Sequence, residues 1–133
     1  MQVRMVDLKK IVSAFTFRIS VRSPQTGREE EFQAIVDTGS HFTTIPAVAW
    51  ERLSLEVVDE VEMEMELELA NGQIVPTPIG YAEVGVDGRT VLTLCAKGEA
   101  GSPPLLGATT MDLLLIMPDP GNERFLRARG LRA

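Results

Sequence analysis

The sequence predicts a mainly β protein: a small closed or semi-closed β structure carrying only two short helices. Three observations predict it. Apolar residues repeatedly alternate with polar ones, which is the period of a half-buried strand. Gly, Pro, Asn and Asp punctuate these runs at turn positions, notably at Asn71-Gly72 and Asp87-Gly88. Aromatic residues make up only 5% of the chain, so the core is expected from Val, Ile, Leu and Met.

The first strand is residues 14–21, with Phe15, Phe17, Ile19 and Val21 on one face and Thr16, Arg18 and Ser20 on the other. Ser23-Pro24-Gln25-Thr26-Gly27 reads as a turn, and residues 31–36 read as the returning strand of a hairpin. That hairpin delivers the chain directly to Asp37. Residues 42–45 return to extended character. Pro46 then suits the first position of a short helix over 47–53, where its missing N–H would have no partner anyway. Trp50, on this helix, reads as a core or interface anchor.

Residues 61–69 set pattern against propensity. Val61, Met63, Met65, Leu67 and Leu69 alternate with Glu62, Glu64, Glu66 and Glu68, although Met, Glu and Leu favour helices. A helix would scatter these glutamates around its axis, whereas a strand gives one apolar and one acidic face. The pattern predicts a strand, with Asn71-Gly72 as the two-residue turn of a hairpin. Residues 73–86 are expected to return as one long strand, at an edge or irregular, because Pro76 and Pro78 lack ladder donors. Asp87-Gly88 turns into a strand over 90–96, and residues 98–104 form a loop. Leu105-Leu106-Gly107 leads into a short helix over 108–113. Residues 114–117 are expected as a buried strand, 118–122 as a turn and 123–127 as a final strand.

At 133 residues the chain fits a single domain over 1–133. Its core is expected over 13–127, between a flexible N-terminus and an Arg-rich C-terminal tail. The formal charge of −6 argues against a nucleic-acid partner, because phosphate contacts need clustered cations. The tail residues Arg124, Arg127, Arg129 and Arg132 read as solvated or partner-facing. Cys95 is the only cysteine and His41 the only histidine, so one chain offers no disulfide, no zinc ligand set and no Cys–His or Ser–His–Asp site. His41 follows Ser40 directly, but neighbouring side chains on an extended chain point to opposite faces. No metal and no cofactor are expected. No run reaches the ~18 apolar residues of a membrane span, and the N-terminus lacks a signal-type apolar region. A cytoplasmic protein with no membrane partner is expected.

The candidate chemistry sits at Ala34-Ile35-Val36-Asp37-Thr38-Gly39-Ser40. Strand formers deliver one carboxylate, Asp37, onto a turn of Thr38, Gly39 and Ser40. Asp-Thr-Gly after a strand is also an ordinary turn, so the residues downstream must decide its meaning. Other carboxylates are weaker candidates. Asp112 reads as a surface or capping group and Asp119 as a turn residue. The glutamates of 62–68 read as a solvated strand face, or alternatively as a selector of basic peptides.

Taken in order, these features resemble the retropepsin-like aspartic proteases, the family of the retroviral proteases and their cellular and bacterial relatives. The run Ile35-Val36-Asp37-Thr38-Gly39-Ser40 is similar to the catalytic loop, with Asp37 as the catalytic aspartate. Asn71-Gly72 in its long hairpin is similar to the flap that folds over substrate. Leu105-Leu106-Gly107 is similar to the element that braces the catalytic loop before a short helix. Met111-Asp112-Leu113 stands where bacterial members carry a similar Asp-Leu or Asp-Phe pair. The resemblance covers residues 13–127 and implies a retropepsin-like acid protease half-barrel with a flap hairpin and one or two short helices. Two departures stand out. The flap tip has neither the glycine-rich sequence of the retroviral enzymes nor the tyrosine of pepsin-type flaps, and the terminal segments differ. The resemblance therefore carries no cleavage preference.

Peptide hydrolysis of this kind uses two carboxylates that share one proton, one as general base on a water and the other as donor to the carbonyl oxygen. The chain has one Asp-Thr-Gly, so the resemblance implies a homodimer with Asp37 of each subunit on the two-fold axis. Thr38 would, by the same resemblance, hydrogen-bond across that dimer. Gly39 is expected to allow the tight backbone and offer its N–H to the carboxylates. Ser40 is expected to donate to Asp37, placing the activity optimum on the acid side of neutral. The expected function is an aspartic endopeptidase acting on a peptide or unfolded protein segment. The alternative is a non-catalytic module of the same fold used for dimerisation or peptide capture.

Overall fold

In a computed structural model, residues 15–58, 65–68, 72 and 74–128 are described, with backbone only for 65–68 and 74–75. Residues 1–14, Glu62, Glu64, the flap residue Asn71, and Arg129 and Arg132 of the tail lie outside the described residues.

β1 (Thr16–Arg22) and β2 (Glu29–Val36) form the expected hairpin, in register from Thr16↔Ile35 to Arg22↔Glu29. Its alternation works as the sequence implies: Ile19, Val21, Ala34 and Val36 are buried, and the intervening polar residues face outward. In the connecting turn the Ser23 hydroxyl accepts the N–H groups of Gln25 and Thr26 at 3.3 and 3.2 Å, a local bond that Ser supplies readily. β3 (Thr43–Ile45) leads to α1 (Ala47–Arg52). Pro46 stands one residue before that helix, and its carbonyl accepts the Trp50 N–H at 2.9 Å. Trp50 is only 2% exposed and anchors the core.

β4 (Met65–Glu68) pairs antiparallel with β5 (Ile74–Thr77), so over these residues the alternating pattern prevails over helix propensity. Among the described residues the pairing runs from Met65↔Thr77 to Glu68↔Ile74. Gly72 takes φ +83°. The expectation of one strand over 73–86 is corrected. β5 ends at Thr77 and β6 (Ile79–Val86) begins after Pro78, in a different sheet. Pro78 has no N–H for either ladder. Its carbonyl accepts the N–H of Lys97 at 2.9 Å, marking the point where the chain changes sheets.

β6 turns through Asp87-Gly88, both at positive φ, into β7 (Arg89–Lys97). β8 (Leu105–Leu106), α2 (Ala108–Leu114), β9 (Ile116–Asp119), a 3₁₀ turn (Pro120–Asn122) and β10 (Arg124–Arg127) complete the order. Six strands close into a barrel in the order β1-β2-β8-β3-β7-β6, sealed by the β1–β6 pair. β8 lies between β2 and β3, parallel to the first and antiparallel to the second. The hairpins β4–β5 and β9–β10 stand as separate two-stranded sheets. Among the described residues no helix is long and apolar enough to cross a membrane.

The expected buried strand over 114–117 is also corrected. Leu114 ends α2, Leu115 takes a left-handed φ of 58°, and Met117 is 64% exposed. Of residues 115–117 only Ile116 turns into the core. Arg89 donates from Nη1 to the carbonyls of Leu114 and Leu115 at 2.8 and 3.3 Å, setting a cation at the helix C-terminus. β10 returns Phe125 onto Phe15 and Phe17, with ring centroids 5.6 and 4.8 Å apart.

Candidate active site

Asp37 leaves the barrel at the end of β2, where Val36 is buried and Asp37 itself is half-buried. The topology explains why the chain must turn there. β2 and β3 flank the two-residue β8, so the loop from Asp37 to Phe42 passes over the end of β8. β8 then runs into α2, and the loop is caught between them. The Asp37 N–H donates to the Leu106 carbonyl at 3.0 Å, one step beyond the parallel pair Val36↔Leu106. Ala108 N–H donates to the Ser40 carbonyl at 2.8 Å, and Thr109 N–H donates to the His41 carbonyl at 3.0 Å. The N-terminal N–H groups of a helix have no partner within it. Here the loop supplies those partners, so helix start and loop fix one another.

Gly107 makes this approach possible. A Cβ at that position would lie 2.4 Å from the carbonyl carbon and oxygen of Phe42, and both are backbone atoms with no room to yield. The Leu105-Leu106-Gly107 element therefore braces the Asp37 loop through two backbone contacts. Leu106 supplies an acceptor, and Gly107 supplies the absence of a side chain.

Within the loop, Gly39 N–H donates to Asp37 Oδ1 at 2.9 Å, as the sequence leads one to expect. A Cβ on Gly39 would come within 3.2 Å of that same oxygen, so glycine keeps the approach to the carboxylate open. Ser40 differs from expectation. Its hydroxyl donates to the Phe42 carbonyl at 3.0 Å rather than to Asp37. The Ser40 N–H donates back to the Asp37 carbonyl at 3.1 Å, and the resulting turn directs the Ser40 side chain along the loop. Thr38 is exposed at the turn. His41 is exposed too, with its ring set edge-on to Phe42 at 4.8 Å. Of the flap residues, Gly72 is exposed.

Sequence reasoning passed over a buried pair beneath the loop. Thr43 and Thr110 are both fully buried, and their hydroxyl oxygens lie 2.6 Å apart. Gly107 N–H donates to Thr43 Oγ1 at 3.1 Å. Three successive N–H groups, of residues 107, 108 and 109, are thus taken by residues 43, 40 and 41. A Thr-Thr dipeptide in a strand carries no local sign of which hydroxyl turns inward. The spacing of 67 residues to Thr110 hides the pairing altogether.

Among the described residues, the other reactive groups singled out in the sequence do not converge on the loop. Cys95 sits beside Thr43 in the β3–β7 pairing, and burial pushes its thiol up to about 12, so it stays protonated near neutrality. Asp119 is held below the usual carboxylate range by the Asn122 amide and then by Arg124, a local turn arrangement within the β9–β10 hairpin. Asp112 is exposed on α2. No three His, Cys, Asp or Glu side chains among the described residues could hold a metal ion.

No family model matches the chain, and no curated protein sequence matches it. Solved structures do. EIAV protease, in its complex with the inhibitor HBY-793, superposes with a TM-score of 0.57 at 15% identity, over 76% of this chain and 88% of that one. The retroviral protease-like domain of Ddi1 from Leishmania major gives 0.54 at 12% identity, over 85% of this chain and 88% of that one. At such identities the likeness speaks for the fold. Together with the closed barrel and its two accessory hairpins, it establishes that this chain has a retropepsin-like, mainly β fold.

Proposed function

We propose that the protein is an aspartic endopeptidase, active as a homodimer in which two Asp37 carboxylates meet. One observation carries this reading. Asp37 is presented on a loop whose backbone is held by β8 and α2, with its carboxylate facing a glycine N–H and, among the described residues, paired with no cation. A carboxylate kept only to form a turn would need neither the half-buried setting nor the braced loop. A general base needs both, because its oxygen must stay in one place relative to water and substrate.

One chain supplies one such carboxylate. With two at ~3 Å and an effective dielectric of ~20, a pair of full charges would repel by roughly 5 kcal/mol, so the pair retains a shared proton. The ionised member then takes a proton from the attacking water, while the protonated member donates to the scissile carbonyl oxygen. Gly39 N–H donates to Asp37 Oδ1 and holds that oxygen in one direction. Because one proton must be present and one absent, activity should pass through a maximum and fall on both sides.

The partner in this reading is a second copy of the chain, with Thr38 of each subunit at the junction. The substrate is a peptide or an unfolded protein segment. The β4–β5 hairpin, including Asn71 and Gly72, covers it as a flap. A single buried thiol and no disulfide suit a reducing, cytoplasmic setting. Sedimentation in the presence of a peptide that mimics the tetrahedral intermediate tests the composite site. A dimer binding one inhibitor per two chains is expected. A strict monomer that still cleaves peptides would defeat the shared-site mechanism.

A further inference from the structure

We propose that Thr43 is a positioning residue for Asp37, acting through the peptide unit that joins Leu106 to Gly107, with Thr110 as its buried hydroxyl partner. The catalytic meaning of this link rests on the peptidase reading above; the mechanical link does not.

The two ends of one planar peptide carry it. The C=O of Leu106 accepts the N–H of Asp37 at 3.0 Å. The N–H of the same peptide unit belongs to Gly107 and donates to Thr43 Oγ1 at 3.1 Å. A peptide group is rigid, so fixing its N–H fixes the direction of its C=O. Thr43 Oγ1 therefore sets where the acceptor for Asp37 points. Glycine on one side of this peptide leaves the unit freer to rotate than any other residue would, which makes an external hold necessary.

Thr110 completes the arrangement. A hydroxyl carries one donor and two acceptor sites. With Gly107 N–H on one acceptor site of Thr43, the contact of 2.6 Å to Thr110 Oγ1 uses either its proton or its second acceptor site, and the Thr43 oxygen is held from two directions. Thr110 lies on α2, the helix whose preceding and first N–H groups also bind residues 40, 41 and 43. Both threonines are fully buried, so no solvent water stands ready to replace a lost hydroxyl.

A bland alternative is a hydroxyl pair that merely satisfies itself. The two differ in one respect. If each threonine serves only the other, replacing both by valine removes donor and acceptor together and is nearly neutral. If Thr43 serves Gly107, the double replacement still leaves the Gly107 N–H buried without an acceptor.

The test compares Thr43→Val, Thr43→Ser and the double variant Thr43→Val/Thr110→Val in the full chain. Amide exchange of Asp37 and Gly107 is followed by NMR, and kcat and KM are measured on a cleaved peptide. Thr43→Val should speed exchange at both amides by about tenfold, the loss of one hydrogen bond. It should lower kcat by about ten- to a hundred-fold with KM unchanged, as a displaced reacting group does. Thr43→Ser should behave as wild type, and the double variant should keep the full defect. Equal behaviour of Thr43→Val and Thr43→Ser, or recovery in the double variant, overturns the proposal. If Thr43→Val does not fold, Thr43→Ala against Thr43→Ser makes the same comparison, and equality again overturns it. A wild type that cleaves nothing, while the Asp37 amide still responds to Thr43→Val, sinks the peptidase reading and upholds the link. A wild type that cleaves, with Thr43→Val and Thr43→Ser alike, sinks the link alone.

Discussion

The Asp37 loop and the β4–β5 hairpin are both excursions from the same barrel, yet they are held in opposite ways. The loop is fastened by partners far along the chain: Leu106 for Asp37, Ala108 for Ser40 and Thr109 for His41. Among the described strands, β4 and β5 pair only with each other. The Asp37 loop is tied across the fold, whereas the arm that would admit an extended substrate on the proposed reading is tied to itself. Isolated two-stranded hairpins are marginal on their own, so opening of such an arm is expected to cost less than opening of the barrel.

The comparison breaks most visibly at Gly107. Gly107→Ala forces a Cβ against the Phe42 backbone, and we expect a loss of about 3 kcal/mol in urea unfolding together with loss of any cleavage. An unchanged midpoint would mean that the brace is looser than its contacts imply. Alkali probes the same region from behind, through Cys95 at the β3–β7 pairing. Burial raises this thiol from its ordinary 9.0 to about 12, so within that window the unfolded chain gives up the proton and the folded chain keeps it. Its contribution is complete below the lower value and is lost as pH rises toward the upper one, by about 1.4 kcal/mol per pH unit. In Cys95→Ala that slope should flatten whatever the starting stability; a slope as steep as in wild type would assign it to other groups.

The smallest effect on stability is expected in the hairpin. Gly72 takes φ +83° with nothing within 4 Å of a built Cβ, so Gly72→Ala strains the backbone by about 1 kcal/mol without a clash. The global unfolding midpoint should barely move, while KM for a cleaved peptide rises and kcat holds. A fall in midpoint as large as that of Gly107→Ala would show the hairpin to be part of the barrel's cooperative unit.

Much of this arrangement was legible in the sequence because it is local. The runs 14–21 and 31–36 predict two strands and their hairpin, and the regular alternation of 61–69 predicts a strand against the helix preference of Met, Glu and Leu, as 65–68 form one. Asp37-Thr38-Gly39 shows its turn, and Gly39 makes the bond to Asp37 that the tripeptide implies. What failed was long-range or lacked a marker. Leu114-Leu115-Ile116-Met117 is apolar throughout and has no glycine at the left-handed position, so nothing in it announces where the helix ends. Pro78 splits an otherwise continuous run, but only the sheet topology reveals that its two halves serve different sheets. The direction of the Ser40 hydroxyl depends on the four-residue turn Asp37–Ser40. The meeting of Thr43 with Thr110 depends on β8 lying beside β3.

On the proposed reading Asp37 performs the chemistry and the rest of the loop keeps it in place. A peptide-library digest by wild type beside Asp37→Asn tests it most directly, with circular dichroism and sedimentation confirming that the two proteins share fold and oligomeric state. Asparagine matches aspartate in shape but offers no carboxylate to accept the proton of water. Cleavage by wild type and none by Asp37→Asn, at equal folding, is the result expected here. Equal cleavage by both would contradict the catalytic assignment, and binding of peptides by both without cleavage would make this fold a capture module.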